Sequence, residues 1–172
     1  RVVSGNYFGL LRVGAALGRL IEEDDDRVPG THPVGVLGYR YWESRFGADV
    51  GILNQTVLVN NSPMTVIGVA QKGFSGERAG NPPDVYIPMA MWAVVGLYAD
   101  SLSDQRLGWV TMCGRLKPGV TLERAEVEIN VPYRAQLDQD IALISRPSER
   151  FLERYRARTI TLKPGEHGRG DL

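Results

Sequence analysis

Phe46-Gly47-Ala48-Asp49, Thr56-Val57-Leu58-Val59-Asn60-Asn61 and Met64-Thr65-Val66-Ile67-Gly68-Val69 decide the fold of this chain. Tyr39 to Phe46 reads as a helix, because Tyr39, Trp42 and Phe46 fall three and four apart on one face. Gly47 stands where a helix needs a left-handed stop. Two apolar runs follow, joined by Asn60-Asn61. Asparagine tolerates positive φ, so the pair predicts a two-residue hairpin turn between strands.

Upstream, residues 1 to 4 read as a short strand, and Gly5 to Leu11 as a turn and a short helix. Val13 to Leu20 continues as an apolar segment. Glu22-Glu23-Asp24-Asp25-Asp26, followed by Pro29-Gly30, predicts a solvated loop and a subdomain boundary. Pro33 to Leu37 reads as a strand. Downstream, Lys72 to Pro83 predicts a long loop. Asp84 to Pro88 predicts a short strand ending in proline, which either lies at an edge or stops there. Met89 to Tyr98 reads as a helix, and Trp109 to Leu116 as a strand closed by Lys117-Pro118-Gly119. Thr121 caps a long helix with Leu122, Ala125, Ile129, Tyr133 and Leu137 on one stripe. Pro132 should kink or end it. Residues 141 to 158 predict a loop with a short helix near Phe151, and 158 to 162 a final strand. The last unit is βαβ-like and the class is α+β.

The chain has 172 residues, 43% hydrophobic and 23% charged, which suits a folded protein of one sizeable domain or two small ones. Twenty basic residues balance twenty acidic ones. No global field draws it to nucleic acid. The single cysteine, Cys113, lies in an apolar run and reads as a buried, inert thiol. The longest apolar run, Met89 to Ala99, is too short for the roughly 20 residues of a membrane helix. The chain opens inside what reads as a strand, so it is expected to be a piece of a longer protein.

Catalytic and ligand-binding patterns are weak. His32 and His167 lie in loops at opposite ends, and the acidic run lacks the spacing of a calcium loop. Gly73-Phe74-Ser75-Gly76 is one residue short of a nucleophile elbow. Lys72-Gly73-Phe74-Ser75 does not make a phosphate loop. Gly14 and Gly18 suggest close local packing, and Arg169-Gly170-Asp171 a coincidence in a charged tail. The aromatics Tyr39, Trp42, Phe46, Phe74, Trp92 and Trp109 read as core, some of them available to a partner. These residues name no catalytic, cofactor or metal site.

Five collinear segments between about residues 2 and 138 resemble the MacB-like periplasmic core of ABC-type permeases. Val3-Ser4-Gly5-Asn6-Tyr7-Phe8 with Gly18-Arg19-Leu20 is similar to its opening segment. Pro33 to Gly38, Trp42, Arg45-Phe46-Gly47, Asn60 and Thr65 to Val69 resemble its small insert, and Asp84 to Met89 its closing strand. Gly114-Arg115-Leu116-Lys117-Pro118-Gly119-Val120 with Ala125-Glu126 resembles the return into the main part.

The resemblance implies a porter-like βαβ subdomain (1–30 and 108–172) with an inserted, strand-rich, Sabre-like subdomain (31–107). The first porter unit would precede Arg1, leaving the porter sheet with an unpaired edge here. It implies a non-enzymatic domain on the periplasmic side of the bacterial inner membrane, tethered by flanking membrane helices and relaying their motion. Its partners would be the rest of the permease, a separate or fused ATPase, and a periplasmic adaptor or second permease copy, with no cofactor. The alternatives are a stand-alone binding or adaptor module and, more remotely, a hydrolase.

Overall fold

The computed structural model describes residues 1–77, 82–96 and 110–165. Its described parts form two compact units, 1–96 and 110–165. The architecture is α+β.

The first unit is a six-stranded mixed sheet. Its strands are β1 (Val2–Val3), β2 (Ala15–Gly18), β3 (Val34–Leu37), β4 (Thr56–Val59), β5 (Ser62–Ala70) and β6 (Val85–Pro88). They run in the order β1-β6-β3-β5-β2, with β4 pairing the start of β5. β1 with β6 and β3 with β5 are parallel; the other pairs are antiparallel. Interior strands covered on both faces read as unbroken apolar runs. Accordingly Val36, Leu37, Val66, Val69 and Ala70 are fully buried.

Two helices complete this unit: α1 (Tyr7–Leu11) and α2 (Tyr39–Phe46). α2 has the expected bounds. Trp42 is its buried residue, and its indole Nε1 donates to the Asp49 carbonyl at 2.9 Å. Gly47 takes the left-handed stop at φ 59°. Asn60 and Asn61 both have positive φ, 49° and 65°, and set the pairing Val59 to Ser62. Pro63 faces Leu58 across this hairpin, just outside the stretch of β5 that pairs with β3.

Three expectations in this unit fail wholly or in part, for physical reasons. The acidic run is solvated only at Glu22, Glu23 and Asp24. Glu23–Asp26 forms a 3-10 turn, and Asp25 is buried because backbone and guanidinium donors surround its carboxylate. β6 is not at an edge, since it pairs β3 on one side and β1 on the other, but it does stop at its proline, Pro88. Pro88 is tolerated there because the β3 pairing already ends at Tyr86. Met89–Met91 is a 3-10 turn, and the chain to Gly96 continues in turns rather than as a helix; residues 97 and 98 of that segment lie outside the described residues.

The second unit holds α3 (Leu122–Ala142) and α4 (Glu149–Arg156). Thr121 caps α3 as read, its hydroxyl accepting from the Arg124 N–H at 3.3 Å. Pro132 neither ends nor shortens the helix, which runs 21 residues through it. The residue is exposed, so water can take the carbonyl bond that proline forgoes one turn back. Of the expected stripe only Leu137 is buried.

Residues 110–116 are exposed and form no ladder among the described residues. β propensity alone does not make a strand; a neighbouring backbone is needed. Cys113 is therefore exposed, not buried. Trp109 lies outside the described residues. Residues 158–162 likewise form no strand among the described residues. Instead α3 side chains hold them. The Asn130 amide donates to the Ile160 carbonyl at 2.8 Å and accepts from its N–H at 2.9 Å. Glu126 accepts from the Leu162 N–H at 2.7 Å.

Candidate interaction surfaces

Several ionisable groups of the first unit pair with one another or hold backbone N–H groups. Arg19 holds Asp25 in a two-pronged pair at 2.6 and 2.9 Å. Asp25 also accepts from the Glu22 N–H at 3.0 Å. The Arg19 guanidinium, chiefly, keeps the Asp25 carboxyl below its ordinary range, against the opposing effect of burial. Asp26 accepts from the N–H groups of Gly5 at 3.0 Å and Ala90 at 2.6 Å. It thereby ties the turn before α1 to the turn after β6.

Glu77 accepts from the Tyr7 hydroxyl at 2.9 Å and pairs with the Arg1 guanidinium at 3.0 Å. Burial first, and the Glu77 charge second, push the Tyr7 and Tyr86 hydroxyls well above the usual tyrosine range. Both stay protonated at physiological pH, so neither can serve as a base. Phe74, from the loop that failed as a nucleophile elbow, stacks on Tyr86 with centroids 5.8 Å apart. Ser75 makes no hydrogen bond to an acid or base among the described residues. His32 is exposed, with Nδ1 3.0 Å from the Thr31 hydroxyl. His167 and the Arg169-Gly170-Asp171 triplet lie outside the described residues. No metal-binding cluster occurs among those described.

What remains are surfaces. A recess of about 240 Å³ lies between the start of α2, at Gly38 to Tyr41, and the loop residues Phe74 and Pro83. Lys72 sits 5.2 Å over the Tyr39 ring. In the second unit an open groove of about 360 Å³ runs between Leu116 and Val120 on one side and Ala125 and Ile129 of α3 on the other. Elsewhere in this unit large apolar side chains are exposed: Met112 is 75% exposed, Val127 69%, Val131 67%. The two valines lie off the predicted stripe, four residues apart. That spacing was visible in the sequence, but it signals a surface only once α3 is known to continue through Pro132. Arg19 with Asp25 was not foreseen either. They lie six positions apart, and only the turn between brings them together.

Comparisons with known proteins fit this arrangement. Residues 1–131 match the family model of the MacB-like periplasmic core domain. A "Probable export ATP-binding/permease protein MacB" of Pseudomonas entomophila (strain L48) is 31% identical over 131 residues, 74% of this chain and 18% of that protein. A "Probable export ATP-binding/permease protein" of Pseudomonas fluorescens is 35% identical over 86 residues, 50% of this chain and 13% of that one. The match thus spans under a fifth of each relative's length. A crystallised domain of a permease-like protein from Porphyromonas gingivalis aligns with a TM-score of 0.50 at 15% identity, over 92% of this chain and 71% of that one. At that identity the likeness concerns the fold alone.

Proposed function

The chain belongs to the MacB-like periplasmic core domain family, and from this we propose that it is the periplasmic domain of an ABC-type export permease. In this reading it relays movement of the membrane domain to a substrate or a partner protein, and it performs no chemistry itself. Membrane helices elsewhere in the full polypeptide tether it to the inner membrane. A fused or separate ATPase drives it, and an adaptor or a second permease copy meets it in the periplasm.

The observation that carries the reading is the family match over residues 1–131. The use of charge supports it. Arg19, Asp25, Asp26 and Glu77 are all engaged in holding loops, and no acid, base and nucleophile converge among the described residues. We further propose the division into a porter-like part, 1–30 with 108–172, and a Sabre-like insert, 31–107. The change of compact unit after residue 107 supports its second boundary. Its first boundary falls within the β sheet, where β1 and β2 pair with strands of the insert.

The test is the full-length gene. An apolar segment of about 20 residues upstream, with others downstream, is expected. Polar flanks on both sides would replace the permease reading with that of a stand-alone binding module.

A further inference from the structure

We propose that residues 72–77 form a strap closed over the Tyr86 ring and locked by a single carboxylate, Glu77. Its release uncovers an aromatic surface beside the recess at the start of α2. The proposal concerns the first unit alone and stands whether or not the permease reading holds.

The two ends of the strap are held differently. Gln71, just ahead of it, is fixed by backbone and side chain together. Its N–H donates to the Gly14 carbonyl at 2.9 Å, and its side-chain oxygen accepts from the Gly14 N–H at 3.1 Å. The Phe74 N–H then donates back to the Gln71 carbonyl at 3.1 Å. Among the described residues no backbone hydrogen bond holds residues 75–77. That end is tied by the Glu77 side chain, through the Tyr7 hydroxyl and the Arg1 guanidinium. A segment held by side chains alone opens more readily than one held in a backbone ladder.

Gly73 lies between the two ends and supplies the hinge. Its φ is 85°, and a Cβ there would meet nothing within 4 Å. The chain can turn at this point without collision. Beyond the hinge, Phe74 covers the cluster. Besides stacking on Tyr86, its ring stands 6.2 Å from that of Tyr7 and 6.0 Å from that of Phe8. Tyr86 and Phe8 are fully buried beneath it. Phe74 and Ser75 also form part of the wall of the recess at Gly38 to Tyr41. Lifting the strap therefore joins that recess to the aromatic cluster.

Closure carries a cost. The Tyr86 hydroxyl is buried without a hydrogen-bond partner. The position a Cβ would take on Gly76 lies 3.6 Å from it and 3.5 Å from the Tyr7 hydroxyl, so the strap itself runs past this group. A hydroxyl that loses water and gains no partner opposes the state that buries it. Burial of Phe74 and the two contacts of Glu77 oppose that loss. Without Glu77 the balance shifts toward the open strap.

The test is hydroxyl-radical footprinting of the full-length polypeptide in phosphatidylcholine nanodiscs, read by mass spectrometry at single side chains. Glu77→Ala should raise oxidation of Tyr86 and Phe8 by about ten-fold or more. Trp42, buried in a separate core cluster, should stay as in the parent. Adding Tyr86→Phe to Glu77→Ala removes the unmet hydroxyl. Oxidation of Phe8 should then fall back several-fold, which a merely weakened core would not do. If Glu77→Ala does not fold, Arg1→Gln carries the test, with a smaller rise at Tyr86 and Phe8 that Tyr86→Phe again reverses at Phe8. An equal rise at Trp42 would mean that the whole unit loosens, and overturns the proposal. Unchanged oxidation at Tyr86 and Phe8, or no fall at Phe8 when Tyr86→Phe is added, overturns it as well.

Discussion

Gly18 lies opposite Gly68 across the antiparallel pairing of β2 and β5. A Cβ on Gly68 would collide with the carbonyl oxygen of Arg19, and one on Gly18, at φ 65°, with that of Ile67. Two of the segments that carry the family resemblance thus meet backbone to backbone. The same close approach lets the Arg19 N–H donate to Ile67 at 3.0 Å while its guanidinium reaches Asp25.

Gly68→Ala should therefore destabilise the chain by about 2 kcal/mol or more. Gly9→Ala is the control. A Cβ there meets nothing within 4 Å, and the residue is inside α1, so a gain of about 0.5–1 kcal/mol is expected. Urea midpoints for residues 1–172 read both. Equal stability of Gly68→Ala and the parent would show that the strands can part without cost.

Asp25 predicts an acid response. Its folded pKa is depressed below the ordinary 3.8, first by the hydrogen bonds from Arg19. The unfolded chain therefore binds more protons in that range. The stability from this pair is present above about pH 4 and is lost as pH falls through the lower folded value. Asp25→Asn should cost about 2 kcal/mol near neutrality and make the acid limb shallower. Denaturation curves over a pH series check this. An unchanged slope below about pH 4 would mean that other carboxylates dominate.

Pro132→Ala should strengthen α3. The proline gives up one helical hydrogen bond and crowds the carbonyl one turn back, which costs about 1–3 kcal/mol in a helix interior. Hydrogen exchange should slow for amides of residues 128–136. If protection stays as before, α3 is held by packing at its ends, where Leu137 is buried.

Cys113 reports on location. It is exposed, in a segment without helix or strand. In intact cells carrying the full-length chain, a membrane-impermeant maleimide should label it, and Cys113→Ser should lose that label. Labelling only after the inner membrane is broken would place the segment in the cytoplasm.

The first unit was the more legible in sequence. α2, its glycine stop and the Asn60-Asn61 hairpin are governed by local spacing and turn chemistry. Each came out with its expected bounds or turn. Asp25 and Asp26 were misread because composition cannot tell a solvated carboxylate from one surrounded by N–H donors. β6 was misread because its proline hid two strand neighbours, one of them only two residues long. In the second unit the alternation at 110–116 and 158–162 was real, but strand formation depends on a partner that local sequence does not encode.

The way Asn130 and Glu126 grip residues 160 and 162 bears on inhibitor design. In an extended chain alternate residues direct their backbone groups to opposite sides. The side used by Ile160 and Leu162 is already taken by α3. The side of Thr159 and Thr161 has no backbone partner among the described residues. A peptide mimic built to clamp this segment has one direction of approach, and Asn130 fixes which one it is.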